Sequence, residues 1–253
     1  MQAGLLDVFP IWAIIPIALL IGAVSVEAGY RVAIWRKRRA KDQSEAPAAP
    51  IVGATLGLLA FLVAFTFGSA ASRFEERRQA VLAESNAINA SYLRAQMVPE
   101  PMSANARSLL REYVDVRLNT TQTGRLAQSI AKSEELHRRL WAEAVAAAQK
   151  ERSPMTSLFM SSLNEVFALH TRRVTAAVYN RIPPTIWIGL YVLLVFAMLV
   201  VGYYEGMSGT RHTLAVYGMV FALIADLDRP GRGLLEVNQQ SMIDLKNSMS
   251  QQP

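Results

Sequence analysis

The chain contains no cysteine, which excludes disulfide bonds and thiolate metal sites while leaving the compartment open. Histidine is scarce as well: His137, His170 and His212 are the only three, and they are scattered. No glycine-rich phosphate loop, Walker sequence, G-x-S-x-G elbow or zinc-ligand spacing occurs. Those are the constellations that carry most phosphoryl transfer, acyl transfer and zinc chemistry, so no enzymatic activity is expected. There is no strand-like alternation, internal repeat or low-complexity tract. The most informative absence is local. Residues 51–71 pass without a charge, and Ser72-Arg73-Phe74-Glu75-Glu76-Arg77-Arg78 then brings charges as a block. About 20 apolar residues, each rising about 1.5 Å, span the roughly 30 Å hydrocarbon core of a bilayer. The segment reads as a membrane-spanning helix that runs straight into a water-exposed one.

Hydrophobic residues make up 52% of the 253, against 18% charged, and they are gathered into runs. Three are long (8–26, 51–71 and 182–204), and a fourth, 213–225, has only 13 residues. Thirteen is short for a crossing, but Leu227 and slight bilayer thinning extend it into range. The expected fold is all-α: an integral membrane protein with four transmembrane helices and a helical soluble domain between the second and third. Its segments are a first transmembrane helix at 8–35, a basic linker at 36–50 and a second transmembrane helix at 51–71. The soluble helical domain follows at 72–181, then transmembrane helices at 182–204 and 211–227 and a tail at 228–253. Both termini then lie on one side. The first run is not read as a cleaved signal peptide, because residues 1–7 carry no Lys or Arg and the apolar core is long. The net charge of +6 suits a protein facing anionic lipid headgroups. The cations flank spans or interleave with acids, which argues against nucleic acid as a partner.

Within 72–181 the pattern is helical nearly throughout. The second span is expected to continue to about Gln96, where Val98-Pro99-Glu100-Pro101 breaks the chain. Ser103 is the expected N-cap of a helix to about Leu118, with Leu109, Leu110, Tyr113, Val114 and Val116 on its apolar side. Residues 119–124 are expected to form a turn, and 125–152 the next helix. Ser153-Pro154 opens another, with proline suited to the first turn, reaching about Asn180.

Candidate functional residues are few. Gly57, Phe61 and Phe65 recur every fourth residue and stack on one face of the second span. Such a stripe suits a constriction; helix–helix packing is the alternative, with Gly53 and Gly57 as a small-xxx-small face. Arg73 and Arg77 stand at the end of that span, where cations either anchor the helix by snorkelling or form rings that concentrate anions at a pore mouth. The Arg172/Arg173 pair has the same two readings. Glu27 closes the first span and has Arg31 one turn on, which points to an interfacial ion pair rather than an ion path. Glu134-x-x-His137 has the spacing of carboxylate-bridged di-iron bundles, but no second such pair occurs. It is read as a solvated helix face, and no metal site or cofactor is expected.

Two blocks carry a family resemblance. Gly53-x-x-x-Gly57-Leu-Leu-Ala-Phe61-Leu-Val-Ala-Phe65, with Ser72-Arg73-Phe74-Glu75-Glu76-Arg77 after it, is similar to the second transmembrane helix of bestrophins. Asp226-Leu-Asp228-Arg229-Pro230-Gly231-Arg232-Gly233 resembles the acidic, Pro- and Gly-containing segment after their last span. It is closer still to the Leu-Asp-Arg-Pro motif of bacterial bestrophin-like membrane proteins, which Pro183-Pro184-x-x-Trp187 also fits. The order of spans and domain agrees along nearly the whole chain. The resemblance implies a homopentameric anion channel in a bacterial inner membrane, with small anions and lipid as partners. Its neck would be formed by Gly57, Phe61 and Phe65, and its mouth would feel Arg73 and Arg77. Gly57 supplies no side chain, which leaves two aromatic rings rather than three. In animal bestrophins the acidic segment binds calcium. Here Asp226 and Asp228 are only two carboxylates for a site that takes six to eight oxygens. A structural turn is expected instead, with Asp228 and Arg229 pairing to the helical domain and Pro230 in the turn.

Topology sets two rules against each other. Arg31, Arg36, Lys37, Arg38, Arg39 and Lys41 crowd the first loop, which the positive-inside rule places in the cytoplasm. The bestrophin arrangement instead places the helical domain and both termini there. Arg73, Arg77, Arg78, Arg172, Arg173 and Arg181 partly balance the count, and the bestrophin arrangement is the one adopted. The functional expectation is an oligomeric, anion-permeable channel. The alternative is a non-conducting membrane sensor or scaffold whose helical domain binds a partner.

Overall fold

The computed structural model describes residues 11–39, 48–123, 126–178, 182–209, 224, 226–227 and 237–251. Among these residues seven helices are defined and no strand: α1 (Ile11–Arg39), α2 (Ala48–Ala95), α3 (Met102–Thr123), α4 (Leu126–Lys150), α5 (Pro154–Val178), α6 (Pro184–Ser208) and α7 (Gln240–Gln251). Three helices are long and apolar enough to cross a membrane, over Pro16–Arg39, Ala49–Ala95 and Pro184–Ser208. The fourth crossing expected over 211–227 lies outside the described residues, apart from Ile224, Asp226 and Leu227. The chain divides into two units, 1–74 with 181–235 and 75–180 with 236–253; α2 contributes its first part to one and the remainder to the other.

The first unit holds the apolar helices. α6 begins with Pro184 in its first turn, where a missing N–H removes no helical bond. It ends at Gly209, whose φ of 77° and N–H bond to the Glu205 carbonyl (2.8 Å) form a left-handed C-cap. The core gathers Leu59, Val63 and Ala70 of α2 with Trp187, Leu190, Leu194, Ala197 and Met198 of α6, and Ile224 and Leu227 join it. α1 packs closely on α6, and glycine makes this possible. A Cβ on Gly202 would overlap the Val26 carbonyl, and one on Gly29 the Leu199 carbonyl. One on Gly206 would come within 2.7 Å of the Ala33 Cβ. Gly202 and Gly206 are thus the small-xxx-small face of this bundle. Gly53 and Gly57 on α2, where the packing alternative put such a face, have nothing within 4 Å of an added Cβ. The expected Glu27–Arg31 pair is formed at 2.8 Å.

The second unit packs α3, α4, α5, α7 and the later part of α2 around one apolar core. Ile88 and Tyr92 meet Leu110 and Tyr113, Leu136 and Leu140, and Phe159 and Leu163, all fully buried. Three local differences from the sequence reading have clear causes. α3 starts at Met102, so Ser103 lies inside it; the Glu100 carboxylate caps the helix by accepting the Ala104 N–H at 3.1 Å. α3 also runs through 119–123, because no helix breaker precedes Gly124. The segment read only as a tail forms α7, which buries Met242, Leu245 and Met249 at i, i+3 and i+7 in this core. α5 does open at Pro154 as expected, and Ser153 caps it by accepting the Thr156 N–H at 3.2 Å.

Candidate functional site

The membrane part of α2 has two unlike faces. Leu59, Val63, Thr66 and Ala70 are buried, and their i, i+4, i+7, i+11 spacing sets them on one side. Gly57, Phe61 and Phe65 lie on the other, with Phe61 65% and Phe65 70% exposed. Gly68 and Ser72 continue the same exposed stripe. Neither phenylalanine ring is buried within the chain. Both threonine hydroxyls of this segment turn back on the helix, Thr66 donating to the Leu62 carbonyl at 2.7 Å and Thr55 to that of Ile51 at 3.0 Å. The two threonines therefore present no stray donor to an apolar surrounding.

The two arginines that follow do not share that stripe. Arg73 is half-buried, and Arg77 is buried at 6% exposure. Arg77 lies two turns before Glu84, on the α2 face that turns into the helical unit. Asp226 is buried at 2%. Asp228, Arg229 and Pro230, with the expected pairing to the helical domain, lie outside the described residues.

Glu84 is the centre of the helical unit. Its side chain is wholly buried, and Arg173 Nη1 reaches its carboxylate at 2.6 Å while Arg117 Nε lies at 3.1 Å. Tyr113 donates its hydroxyl hydrogen to Glu84 Oε1 at 2.6 Å. His170 Nδ1 lies 3.0 Å from the Tyr113 oxygen. Because the tyrosine proton is committed to the carboxylate, Nδ1 is the donor there, which fixes the His170 tautomer. Arg173 also donates to Gln239 Oε1 at 2.9 Å. The carboxylate thus meets groups from α3 and α5, and Arg173 links it to Gln239 just before α7.

The electrostatics follow from this packing. Burial alone pushes the Glu84 carboxyl up, but His170, the Arg117 and Arg173 guanidiniums and the Tyr113 hydroxyl overcome it and hold it well below the usual carboxylate range. Burial, and then the Glu84 charge, push the Tyr113 hydroxyl well above its ordinary value. Burial lowers Arg173.

His137 joins this cluster instead of lying on a solvated face. Its ring stacks near Phe167 (4.3 Å between centroids), Tyr113 (5.1 Å) and, edge-on, His170 (4.9 Å). Its Nε2 is buried without a hydrogen-bond partner among the described residues. Burial, then the neighbouring His170, lower its pKa to about 4. The neutral ring is therefore the resting form near neutrality. No group of three or more potential ligands close enough to hold a metal occurs among the described residues.

The sequence reading missed Glu84, Tyr113, Arg117 and His170 as a group and read Arg173 only as a membrane anchor or a pore-mouth cation. The signal was present. Glu84 falls between Val81 and Ile88, Arg117 follows Leu110 and Tyr113, and His170 and Arg173 continue the Leu163/Val166 stripe. Polar residues on the apolar stripes of three separate helices are candidates to meet.

A family model described as the Bestrophin-like domain matches residues 18–242. No curated protein and no solved structure gives a significant match.

Proposed function

From the premise that the chain belongs to the bestrophin-like family, with at least three membrane-crossing helices, we propose that it is an oligomeric ion channel. The observation that carries the reading is the exposed Gly57, Phe61, Phe65 stripe of α2, turned away from the chain's own core. In a ring of copies, five by family resemblance, these faces line the axis. Phe61 and Phe65 then form two successive apolar constrictions and Gly57 a wider step. Such constrictions gate by dewetting, while aromatic edges offer weak positive potential to an anion. Small anions are the proposed permeant ions, and the proposed setting is a bacterial inner membrane with the helical unit in the cytoplasm. The Asp226-to-Pro230 segment is assigned a structural rather than a metal-binding role.

The test is ion flux through purified protein in liposomes or planar bilayers. Phe61→Ala is expected to raise conductance, and a chloride gradient to shift the reversal potential toward the anion value. Conductance unchanged by Phe61→Ala would take Phe61 out of the pore. Absence of any flux, with tolerance of polar residues at Phe65, would favour the sensor or scaffold reading, in which the closed core of the helical unit serves a binding partner.

A further inference from the structure

Several cations of this chain stand beside acids. Arg31 pairs with Glu27, Arg78 with Glu75, Arg107 with Glu100, Lys132 and Arg139 with Glu112, and Lys246 with Asp115. The end of α1 breaks that pattern. Arg36, Lys37, Arg38 and Arg39 follow one another in its last turn and are all exposed. None of the four is in an ion pair among the described residues. Successive helical residues are about 100° apart, so the four encircle the helix end.

Just before them stands Trp35, 55% exposed, with the Arg39 guanidinium 4.1 Å over its ring. Leu20 and Val24 are exposed on one broad side of α1; the exposed Glu27–Arg31 pair follows on that side, and Val32 comes next. On a membrane-crossing helix the apolar part faces acyl chains, the ion pair stands where they end, and an exposed tryptophan beyond it marks headgroup level. The cations one step beyond then stand at the depth of the lipid phosphates.

We propose that the end of α1, made of Trp35 and residues 36–39, binds the headgroup of an anionic phospholipid. Guanidiniums recognise phosphodiester oxygens through paired, charge-assisted hydrogen bonds. The Trp35 ring holds the Arg39 guanidinium in place for this contact. A free phosphate fits the site less well. A helix C-terminus offers carbonyls rather than N–H donors, so affinity depends on the bilayer presenting the phosphate beside the apolar strip. The proposal rests on α1 crossing the membrane and is independent of whether the protein conducts.

The absence of native cysteine makes a clean test. Val32→Cys, labelled with bimane, is reconstituted into phosphatidylcholine vesicles. These carry an equal small fraction of either phosphatidylglycerol or phosphatidylcholine bearing a nitroxide high on the acyl chain. Quenching by the phosphatidylglycerol probe is expected to be severalfold stronger. The preference is expected to disappear in the R36Q/K37Q/R38Q/R39Q variant, with gel-filtration profile and bimane emission unchanged. Equal quenching by both probes in the unneutralised protein overturns the proposal without reference to any variant. A preference that survives the fourfold neutralisation also overturns it. So does loss of the preference on adding inorganic phosphate at matched ionic strength, which would assign the cations to a free anion.

Discussion

Glu84 holds two guanidiniums in a site that water does not reach, and removing its charge takes away the carboxylate that both face. Breaking a buried pair from one side costs about 3–5 kcal/mol. Glu84→Gln is therefore expected to lower the melting temperature of the protein markedly, whereas Glu134→Gln, on an exposed position, leaves it nearly unchanged. The depressed Glu84 pKa also sets a sign. Its contribution to stability is present above its ordinary value of 4.5 and is lost as pH falls toward the folded-state value. His137 is depressed as well, from 6.5 to about 4, but for a base the consequence falls in a different window. Between those values the unfolded chain takes up the proton and the folded one resists it, so stability falls as pH drops from 6.5 to about 4 and then levels off for this group. The groups that face His137 are Tyr113 from α3 and Phe167 and His170 from α5, with Glu84 and Arg117 acting through their charges. His137→Gln is expected to flatten the denaturation midpoint over that window. A slope equal to the unsubstituted protein's would show that His137 is not the titrating group.

At the scale of elements, the glycines separate into two kinds. Gly29, Gly202 and Gly206 are required by the approach of α1 to α6, where an added Cβ would collide with backbone carbonyls or a facing side chain. Gly53, Gly57 and Gly68 meet nothing within the chain. Gly202→Ala is expected to cut the yield of folded protein sharply in detergent, as judged by size-exclusion monodispersity. Gly53→Ala is expected to have no such effect. α7 makes a related point about helix formation. Twelve residues are too few to stay helical alone in water, so the buried Met242, Leu245 and Met249, with Ser85 donating to the Ser241 carbonyl at 2.9 Å, hold it in the helical unit.

At the scale of the whole molecule, the side of the membrane on which the helical unit lies is the property on which the channel reading depends. Single cysteines at Gln122, in the helical domain, and at Gln43, in the basic loop, report it through an impermeant thiol reagent on intact cells. Protection at 122 with labelling at 43 is expected. The reverse pattern would place the helical unit outside and favour an extracytoplasmic sensor or scaffold.

The family, the helices of the described residues and the three long enough and apolar enough to cross a membrane were legible in the chain itself. Runs of apolar residues long enough for a bilayer, proline breaks and residue-by-residue motifs are local properties, and local properties survive in one dimension. What tertiary structure decided was which side chains meet. Glu84, Tyr113, Arg117, His137, His170 and Arg173 come from four helices, and nothing in their sequence separation announces that they share one buried charge cluster. The same holds for the glycines of α6, which look no different from those of α2 until a facing backbone is present, and for α7, whose short apolar stripe gains meaning only from the core it closes. Burial and close approach are relations between segments, and their energies appear only when the segments are brought together.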